Sequence, residues 1–242
     1  LGVNMAPSMD WKDGGRVDGK DQQANQVLTM CPVAEPDAGI YSGAEPYASY
    51  LWSSTKISPI AYMEQVTNHI ETSRLILRDW KEEDIPLFAL MNADPHVMEY
   101  FLQPLTPEES LNFYHRIQKE FQTCGFGLYA VERKEDHAFM GYTGLHQITF
   151  DVDFAPGIEI GWRLAHEYWG HGYAPEAATA CLEYTRKQPD ITELYSFTSL
   201  PNLRSERVMQ KIGMTRIKEF DHPLVPADHP LRKHVLYHIK TG

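Results

Sequence analysis

The sequence predicts an α/β chain of the α+β kind, in which a mixed, mostly antiparallel sheet of about seven strands is flanked by four or five helices. Three observations predict this class. Several segments have helical periodicity and recognisable cap residues. Short β-rich segments lie between them, and two of these are separated only by a charged turn. The chain has 242 residues and is 43% hydrophobic, which allows one good-sized domain, or one domain with an appendage.

Residues 1–62 differ in composition from the rest of the chain. They are rich in Gly, Asp, Asn, Gln and Pro and show no periodicity. We expect them to form a disordered or non-native N-terminal extension, and we expect the domain to occupy 63–242. Met63 precedes the first well-patterned segment, which suggests it as the natural start. A genuine flexible extension is the alternative.

The first half of the domain is expected to contain one strand and three helices, at 75–78, 81–93, 95–102 and 106–125. The longest of these helices begins with a threonine cap followed by proline, and carries two glutamates in its first turn. It ends at Gly125, because glycine readily takes the left-handed conformation that closes a helix.

The second half alternates between strands and helices. A charged turn joins two β-rich segments into a predicted antiparallel hairpin. The predicted helix 203–212 is ended by Gly213. The expected strands are 127–134, 138–148, 157–164, 193–199, 215–220 and 234–239, and the other expected helix is 174–187.

The stretch HEYWGHGYAPEA, residues 166–177, opens like a zinc-protease motif. That motif requires two histidines at i and i+4 on one helix face, whereas His166 and His171 are five residues apart, about 140° around a helix. Gly170 and Gly172 also disfavour a helix here. A second histidine-containing stretch, 221–234, is interrupted by prolines. The sequence therefore does not support a zinc hydrolase, and we expect no metal.

The same stretch has the order of a phosphate site: a strand, a glycine loop and a helix. Pro175 suits the first turn of a helix, whose free N–H groups and dipole favour anions. A P-loop would need a lysine–hydroxyl pair that is missing. A dinucleotide fingerprint would need a glycine where Pro175 stands. From loop and helix alone, an ordinary tight connection remains an open alternative.

Bulk properties exclude several classes of partner. The net charge of −11 opposes nonspecific binding to nucleic acid or to anionic membranes. Cys31, Cys124 and Cys181 are widely spaced and form no C-x-x-C pair, which predicts a reducing compartment without a disulfide framework. No apolar run approaches the length of a membrane span. We therefore expect a cytoplasmic protein with neither a nucleic-acid nor a membrane partner.

Three stretches resemble the GNAT N-acetyltransferase superfamily, and most closely its RimJ/RimL-like branch. They are ETSRLILRDWKEEDI, IEIGWRLAHEYWGHGYAPEA and PNLRSERVMQKIGM. The family loop, Q/R-x-x-G-x-G/A, corresponds to 169–174, where Gly172 and Ala174 match and Trp169 replaces Arg or Gln, as is typical of this branch. The resemblance covers about 63–242 and implies a GNAT-like fold.

The resemblance implies acetyl-CoA as co-substrate. The pyrophosphate would rest on the backbone N–H groups of Trp169, Gly170, His171, Gly172, Tyr173 and Ala174. The pantetheine arm would pair with the strand edge at Trp162 and Leu164, where that strand splays from the one at 193–199. Asn202 would hydrogen-bond the cofactor arm.

The implied reaction is direct transfer of acetyl to a primary amine, either a protein N-terminus or a small amine, by a monomer or homodimer. Many relatives place a tyrosine where this chain has Met209. Ser205 is therefore the expected hydrogen-bond donor to the leaving thiolate, and a plain helix-start hydroxyl is the alternative. Because its catalytic residues are incomplete, the chain could instead be a non-catalytic acyl-CoA-binding module or sensor.

Glu159 is the first candidate for the general base. It alternates with the apolar residues Ile158 and Ile160 on a predicted strand, so it points to the opposite face and could reach the cleft. A solvated strand-face carboxylate is the alternative. His146 is the second candidate, and the amine could also lose its proton through water.

Overall fold

The computed structural model describes residues 67–242. The predicted extension 1–62 and the expected start at Met63 lie outside the described residues, as does Cys31. Within 67–242 there are eight strands and four α-helices, which confirms the predicted class with one strand more than expected. In chain order they are β1 (Asn68–Glu71), β2 (Leu75–Arg78), α1 (Asp84–Ala93), α2 (Pro107–Cys124), β3 (Leu128–Arg133), β4 (Phe139–Gln147), β5 (Ile158–Leu164), α3 (Tyr173–Thr185), β6 (Glu193–Ser199), α4 (Leu203–Lys211), β7 (Thr215–Asp221) and β8 (Lys233–Lys240).

The eight strands form one sheet in the order β1-β2-β3-β4-β5-β6-β8-β7. The first five strands are paired antiparallel, each with the next along the chain. β6, β8 and β7 form a second antiparallel group. β5 and β6 run parallel and share a single register pair, Glu159 with Tyr195. The sheet is therefore weakly joined between β5 and β6.

Helices cover both faces of the sheet. Ile160, Trp162 and Leu164 of β5 belong to a buried cluster that includes Ala177 and Cys181 of α3. The other face is packed against α1 and α2 through a second buried cluster, which includes Phe88, Phe113 and Tyr142. The alternation along β5 thus places successive side chains in different helical layers.

Local signals account for the best-predicted helices. Thr106 caps α2 with a full capping box to Glu109, and Gly125 ends it at φ 71°. Asn202 caps α4 by accepting a hydrogen bond from the Ser205 backbone N–H. Each of these helices begins within one residue of the predicted position.

The expected helix at 95–102 is wrong, because this segment forms a run of turns. The Asp94 side chain accepts a hydrogen bond from the His96 backbone N–H at 2.8 Å, a local turn that competes with a helix. Val97 and Met98 are nevertheless buried, so the segment packs on the core as turns. Its apolar spacing reflects that packing and does not indicate helical geometry.

Two further observations concern residues 67–242. Within this range Cys124 and Cys181 form no disulfide bond. Between residues 67 and 242, none of the helices combines the length and the apolar character that spanning a bilayer requires.

Candidate active site

A cleft of about 300 Å³ opens beyond the single register pair that joins β5 to β6. Its walls come from the end of β5, the turn and first residues of α3, one side of α4, and the segment 97–101. Because β5 and β6 pair only at Glu159, the edge of β5 after this residue is available to a ligand. The cleft has the size of a small ligand-binding site.

The turn into α3 faces open space. Gly170 and Gly172 have φ of 82° and 80°, conformations that favour glycine. A Cβ added at Gly170 would meet no atom within 4 Å, and one added at Gly172 would meet only Arg74 Nη2 at 3.7 Å. Gly172 is the N-cap of the 13-residue helix α3, whose free N–H groups and dipole suit an anion.

The turn is held from outside by Arg74 and Glu176. Arg74 Nη1 donates to the carbonyl oxygen of His171 at 3.1 Å, and Arg74 Nε donates to Glu176 Oε2 at 2.7 Å. Thr72 Oγ1 donates to the other carboxylate oxygen of Glu176 at 2.6 Å. Burial opposes ionisation of Glu176, but these hydrogen bonds from Thr72 and Arg74 outweigh it and lower the pKa of the carboxyl.

Most of the predicted cofactor residues come together in the cleft. His171 does not line it, and its carbonyl oxygen is bound by Arg74. The predicted residues that do line it are Trp162, Leu164, Trp169, Gly170, Gly172, Tyr173, Ala174, Asn202 and Ser205.

Asn202 and Ser205 are both buried beside the cleft. The Asn202 Oδ1 atom accepts from the Ser205 backbone N–H at 3.2 Å, and its Nδ2 atom donates to Thr198 Oγ1 at 3.0 Å. A ligand contact by Asn202 could therefore use the remaining N–H of its amide or the second lone pair of its Oδ1 atom. Met209, at the position where many relatives have tyrosine, is fully buried.

Glu159 lies outside the cleft lining and is only 1% exposed. It shares the face of β5 occupied by Arg163, and its register partner on β4 is His146. The Nδ1 atom of His146 lies 2.7 Å from Glu120 Oε2. Burial opposes protonation of His146, but the hydrogen bond with Glu120 and the charge of Glu159 raise its pKa.

Sequence reasoning missed several residues of the site. Arg204, Arg207 and Lys211 line the cleft from α4, and their spacing of three and four residues could have revealed one cationic helix face. Arg204 also pairs with Glu99 and lies 4.7 Å from the centre of the Trp169 ring. Glu120 gave no such signal, because its contact with His146 joins residues 26 positions apart.

The zinc-protease geometry is not formed. His166–Tyr168 is a short 3-10 helix, and α3 begins only at Tyr173. His166 and His171 therefore do not share a face of an α-helix, as the motif requires.

Comparison with known proteins identifies the domain. A family model described as an acetyltransferase (GNAT) domain matches residues 74–215. This chain belongs to the GNAT acetyltransferase family. The match includes β5, the glycine turn, α3 and α4, so the elements that form the cleft lie inside the GNAT domain.

Relatives and solved structures agree with this family. The chain is 32% identical over 153 residues to the uncharacterized N-acetyltransferase YnaD of Bacillus subtilis (strain 168), over 61% of this chain and 83% of the relative. A GNAT-family acetyltransferase structure from Bacillus anthracis superposes with a TM-score of 0.58 at 26% identity, covering 71% of this chain and 98% of the other. The spermidine N-acetyltransferase of Vibrio cholerae, solved with CoA and spermine, shares the fold at 16% identity, with a TM-score of 0.56 over 70% of this chain and 96% of the other. The chain is an acetyltransferase with the GNAT fold.

Proposed function

We propose that this chain is an acetyl-CoA-dependent N-acetyltransferase of the RimJ/RimL-like branch, acting on a primary amine. One observation carries the proposal. The cleft combines a glycine turn at a helix start with three cationic residues on α4, Arg204, Arg207 and Lys211. The Vibrio cholerae relative, with its bound CoA and spermine, supports a thioester donor and an amine acceptor.

The residues present fit acetyl-CoA. The chain carries a net charge of −11, so a polyanionic ligand must be held by local dipoles and local cations. We assign the pyrophosphate to the backbone N–H groups of 169–174, at the start of α3. The cationic face of α4 would hold the remaining phosphate charge, and the free edge of β5 at Trp162 and Leu164 would pair with the pantetheine amides.

Acetyl-CoA supplies an acetyl group already activated as a thioester. Backbone N–H groups near Gly161 and Trp162 would donate to the carbonyl oxygen, where negative charge develops. Ser205, buried at the first turn of α4, would donate a hydrogen bond to the leaving sulfur. Met209, which is fully buried, offers no hydroxyl at the position where many relatives have tyrosine.

We propose that Glu159 accepts the proton of the amine through water. It lies two residues before Gly161, about 7 Å along the strand, which is too far for direct contact with a group held at that residue. The neighbouring His146 and Glu120 offer a path that carries the proton towards the end of α2.

The first test is binding, measured as a thermal shift of the full chain with acetyl-CoA. At 100 times the Kd the ligand should stabilise the fold by about 2.7 kcal/mol. Gly172→Glu should abolish the shift, because its carboxylate would occupy the anion site. Gly125→Glu is the matched control, since Gly125 has φ 71° and lies at the far end of α2, where an added Cβ meets nothing within 4 Å. No shift in the folded wild-type chain would remove the proposal.

The second test is turnover. Acetyl transfer releases a free thiol, which can be followed with N-terminal peptides, polyamines and amino acids as acceptors. Membership of an acetyltransferase family favours catalysis over the non-catalytic binding module. Saturable acetyl-CoA binding without turnover on any amine would favour the module.

A further inference from the structure

Three side chains converge beside the cleft without belonging to it. Asp94 follows the last residue of α1, His96 is two residues further on, and His166 opens the 3-10 helix after β5. One ligand atom from each lies within 4.8 Å of those from the other two. The two imidazole rings are stacked, with centroids 4.8 Å apart and planes at 11°.

The turn formed by Asp94 does not explain this convergence. Asp94 Oδ1 accepts from the His96 backbone N–H at 2.8 Å and lies 3.1 Å from the Nδ1 atom of the same residue. His166 has no part in that turn and comes from a different segment of the chain. None of the three lines the cleft, so the proposed acetyl transfer gives them no role.

The set of donor atoms suits a metal ion that is intermediate between hard and soft. Two imidazoles and one carboxylate are common ligands of zinc and of neighbouring transition metals. A tetrahedral zinc ion holds such ligands at about 2.0–2.1 Å, so two of them lie about 3.3 Å apart. The present separations exceed this by no more than about 1.5 Å. The His96 side chain is 71% exposed, which leaves it free to rotate onto an ion.

We propose that Asp94, His96 and His166 bind one divalent transition-metal ion, with Zn²⁺ as the representative case. The inference departs from the sequence expectation of no metal. It also differs from the rejected zinc-protease pattern, because it uses His166 without His171 and takes its other ligands from 94–96. Solvent would fill the remaining coordination position, as expected for an exposed three-ligand site.

The bound ion would tie together two segments that border the cleft. Val97, Tyr100 and Phe101 line the cleft on one side, immediately after Asp94 and His96. Trp169 lines it on the other side, three residues after His166, whose ring packs edge-on against it with centroids 4.8 Å apart. Metal binding would therefore restrict movement between 94–101 and 166–169.

The test is a calorimetric titration of the full chain with Zn²⁺, after treatment with a chelator and without acetyl-CoA. We expect one ion per chain. Loss of even an outer-sphere partner lowers metal affinity by about 10–100-fold, so loss of a ligand should cost at least as much. His166→Ala and Asp94→Asn should each show that loss. Asp94→Asn is the sharper variant, because its amide oxygen can still accept from the His96 N–H and preserve the turn.

The matched control is His115→Ala, since His115 is an exposed histidine on α2 outside the cluster. It should bind Zn²⁺ like the wild type. Equal zinc binding by the wild type, His166→Ala and Asp94→Asn would overturn the proposal, as would the absence of one-to-one binding. A thiolate charge-transfer band with Co²⁺ would also overturn it, because it would assign the ion to cysteine.

Hydrogen exchange gives a second measurement, because an ion adsorbed at the surface would not change the amide exchange rates of these segments. Zn²⁺ should slow amide exchange in 94–101 and 166–169, and His166→Ala should remove that protection. Both measurements are made without acetyl-CoA, so their failure would leave the proposed acetyl transfer untouched.

Discussion

Arg74 and Arg78, at the two ends of the short segment 74–78, both form ion pairs with carboxylates, but in different surroundings. Arg78, at the end of β2, binds Asp84 and Glu132 with Nη1–Oδ2 and Nε–Oε2 distances of 2.7 and 2.6 Å, and all three side chains are no more than 5% exposed. Arg74, just before β2, binds Glu176, but its side chain is 44% exposed.

The difference lies in what each arginine holds. Arg78 joins β2 to α1 and β3 inside the fold, where an unpaired charge would be costly. Arg74 holds the turn before α3, where a loosened contact is rescued by water. Similar chemistry therefore serves stability at one end of the segment and would serve the proposed ligand binding at the other.

The largest expected effect comes from breaking the buried group formed by Arg78, Asp84 and Glu132. Arg78→Met should lower the free energy of unfolding by about 3–5 kcal/mol, because it leaves the carboxylates of Asp84 and Glu132 buried without their main partner. Urea denaturation at pH 7 measures this. Arg216→Met is the control, since Arg216 pairs with Glu219 on the surface and its loss should leave the midpoint unchanged. A loss below about 1 kcal/mol in Arg78→Met would show that Lys81 or water compensates.

Lowering the pH should destabilise a third region, around His222 and His234. Burial lowers the pKa of His222 to about 4 and that of His234 to about 3. Both histidines stay neutral in the fold but bind protons when unfolded below about pH 6.5. Their contribution to stability is therefore complete above pH 6.5 and lost as the pH falls towards 4 and 3.

The Glu132 carboxylate, which is buried beside Arg78, should affect stability only at lower pH. Burial opposes ionisation of Glu132, but the hydrogen bond from Arg78 outweighs it and lowers its pKa to about 2. Its stabilisation is present above about pH 4.5 and is lost as the pH falls towards 2. His222→Phe should therefore flatten the loss of stability between pH 6.5 and 4.5, measured by urea unfolding across pH. An unchanged slope in His222→Phe would contradict the assignment.

A smaller effect is expected from the exposed arginine. Arg74→Gln should weaken acetyl-CoA binding by about tenfold, because the turn loses the contact that fixes the His171 carbonyl. Its free energy of unfolding should change by less than about 1 kcal/mol. Titration calorimetry and urea unfolding on the same variant separate the two quantities. If Arg74→Gln lowered the free energy of unfolding as much as the free energy of acetyl-CoA binding, the distinction between the two arginines would be wrong.

The smallest effect concerns the pair of Arg204 and Glu99 at the cleft. In the proposed complex Glu99 would compete with a ligand phosphate for the guanidinium of Arg204, and both side chains are about half exposed. Glu99→Gln should therefore tighten acetyl-CoA binding by about twofold, most visibly at low salt. Weaker binding in this variant would show that Glu99 positions Arg204.

The sequence predicted the parts of the fold whose causes are local. Thr106, Gly125 and Gly213 mark ends of α2 and α4, and both helices match their predicted bounds to within one residue at each end. β1 was missed because its four residues show no alternation, and its register with β2 is irregular. The helix expected at 95–102 failed because the Asp94 side chain supplied a competing turn.

The candidate site also contains features that local sequence predicts and features that it does not. The glycine turn was predictable because its residues are contiguous and carry a motif. The contact between Arg74 and Glu176 joins residues 102 positions apart, and no short pattern encodes it. The cationic face formed by Arg204, Arg207 and Lys211 has a helical spacing in the sequence, but the net charge of −11 is a sum over the chain and does not reveal a local cluster.

The single register pair between β5 and β6 also bears on cooperativity. It divides the sheet into a five-strand part and a three-strand part, each internally antiparallel, with one pair between them. Side-chain packing, in contrast, spans both parts, since Ile160 of β5 and Leu194 of β6 belong to one buried cluster. A ligand in the cleft would contact β5 and α3 on one side and α4 on the other. The proposed cofactor would then add contacts with both parts, so we expect it to raise the free energy of separating them.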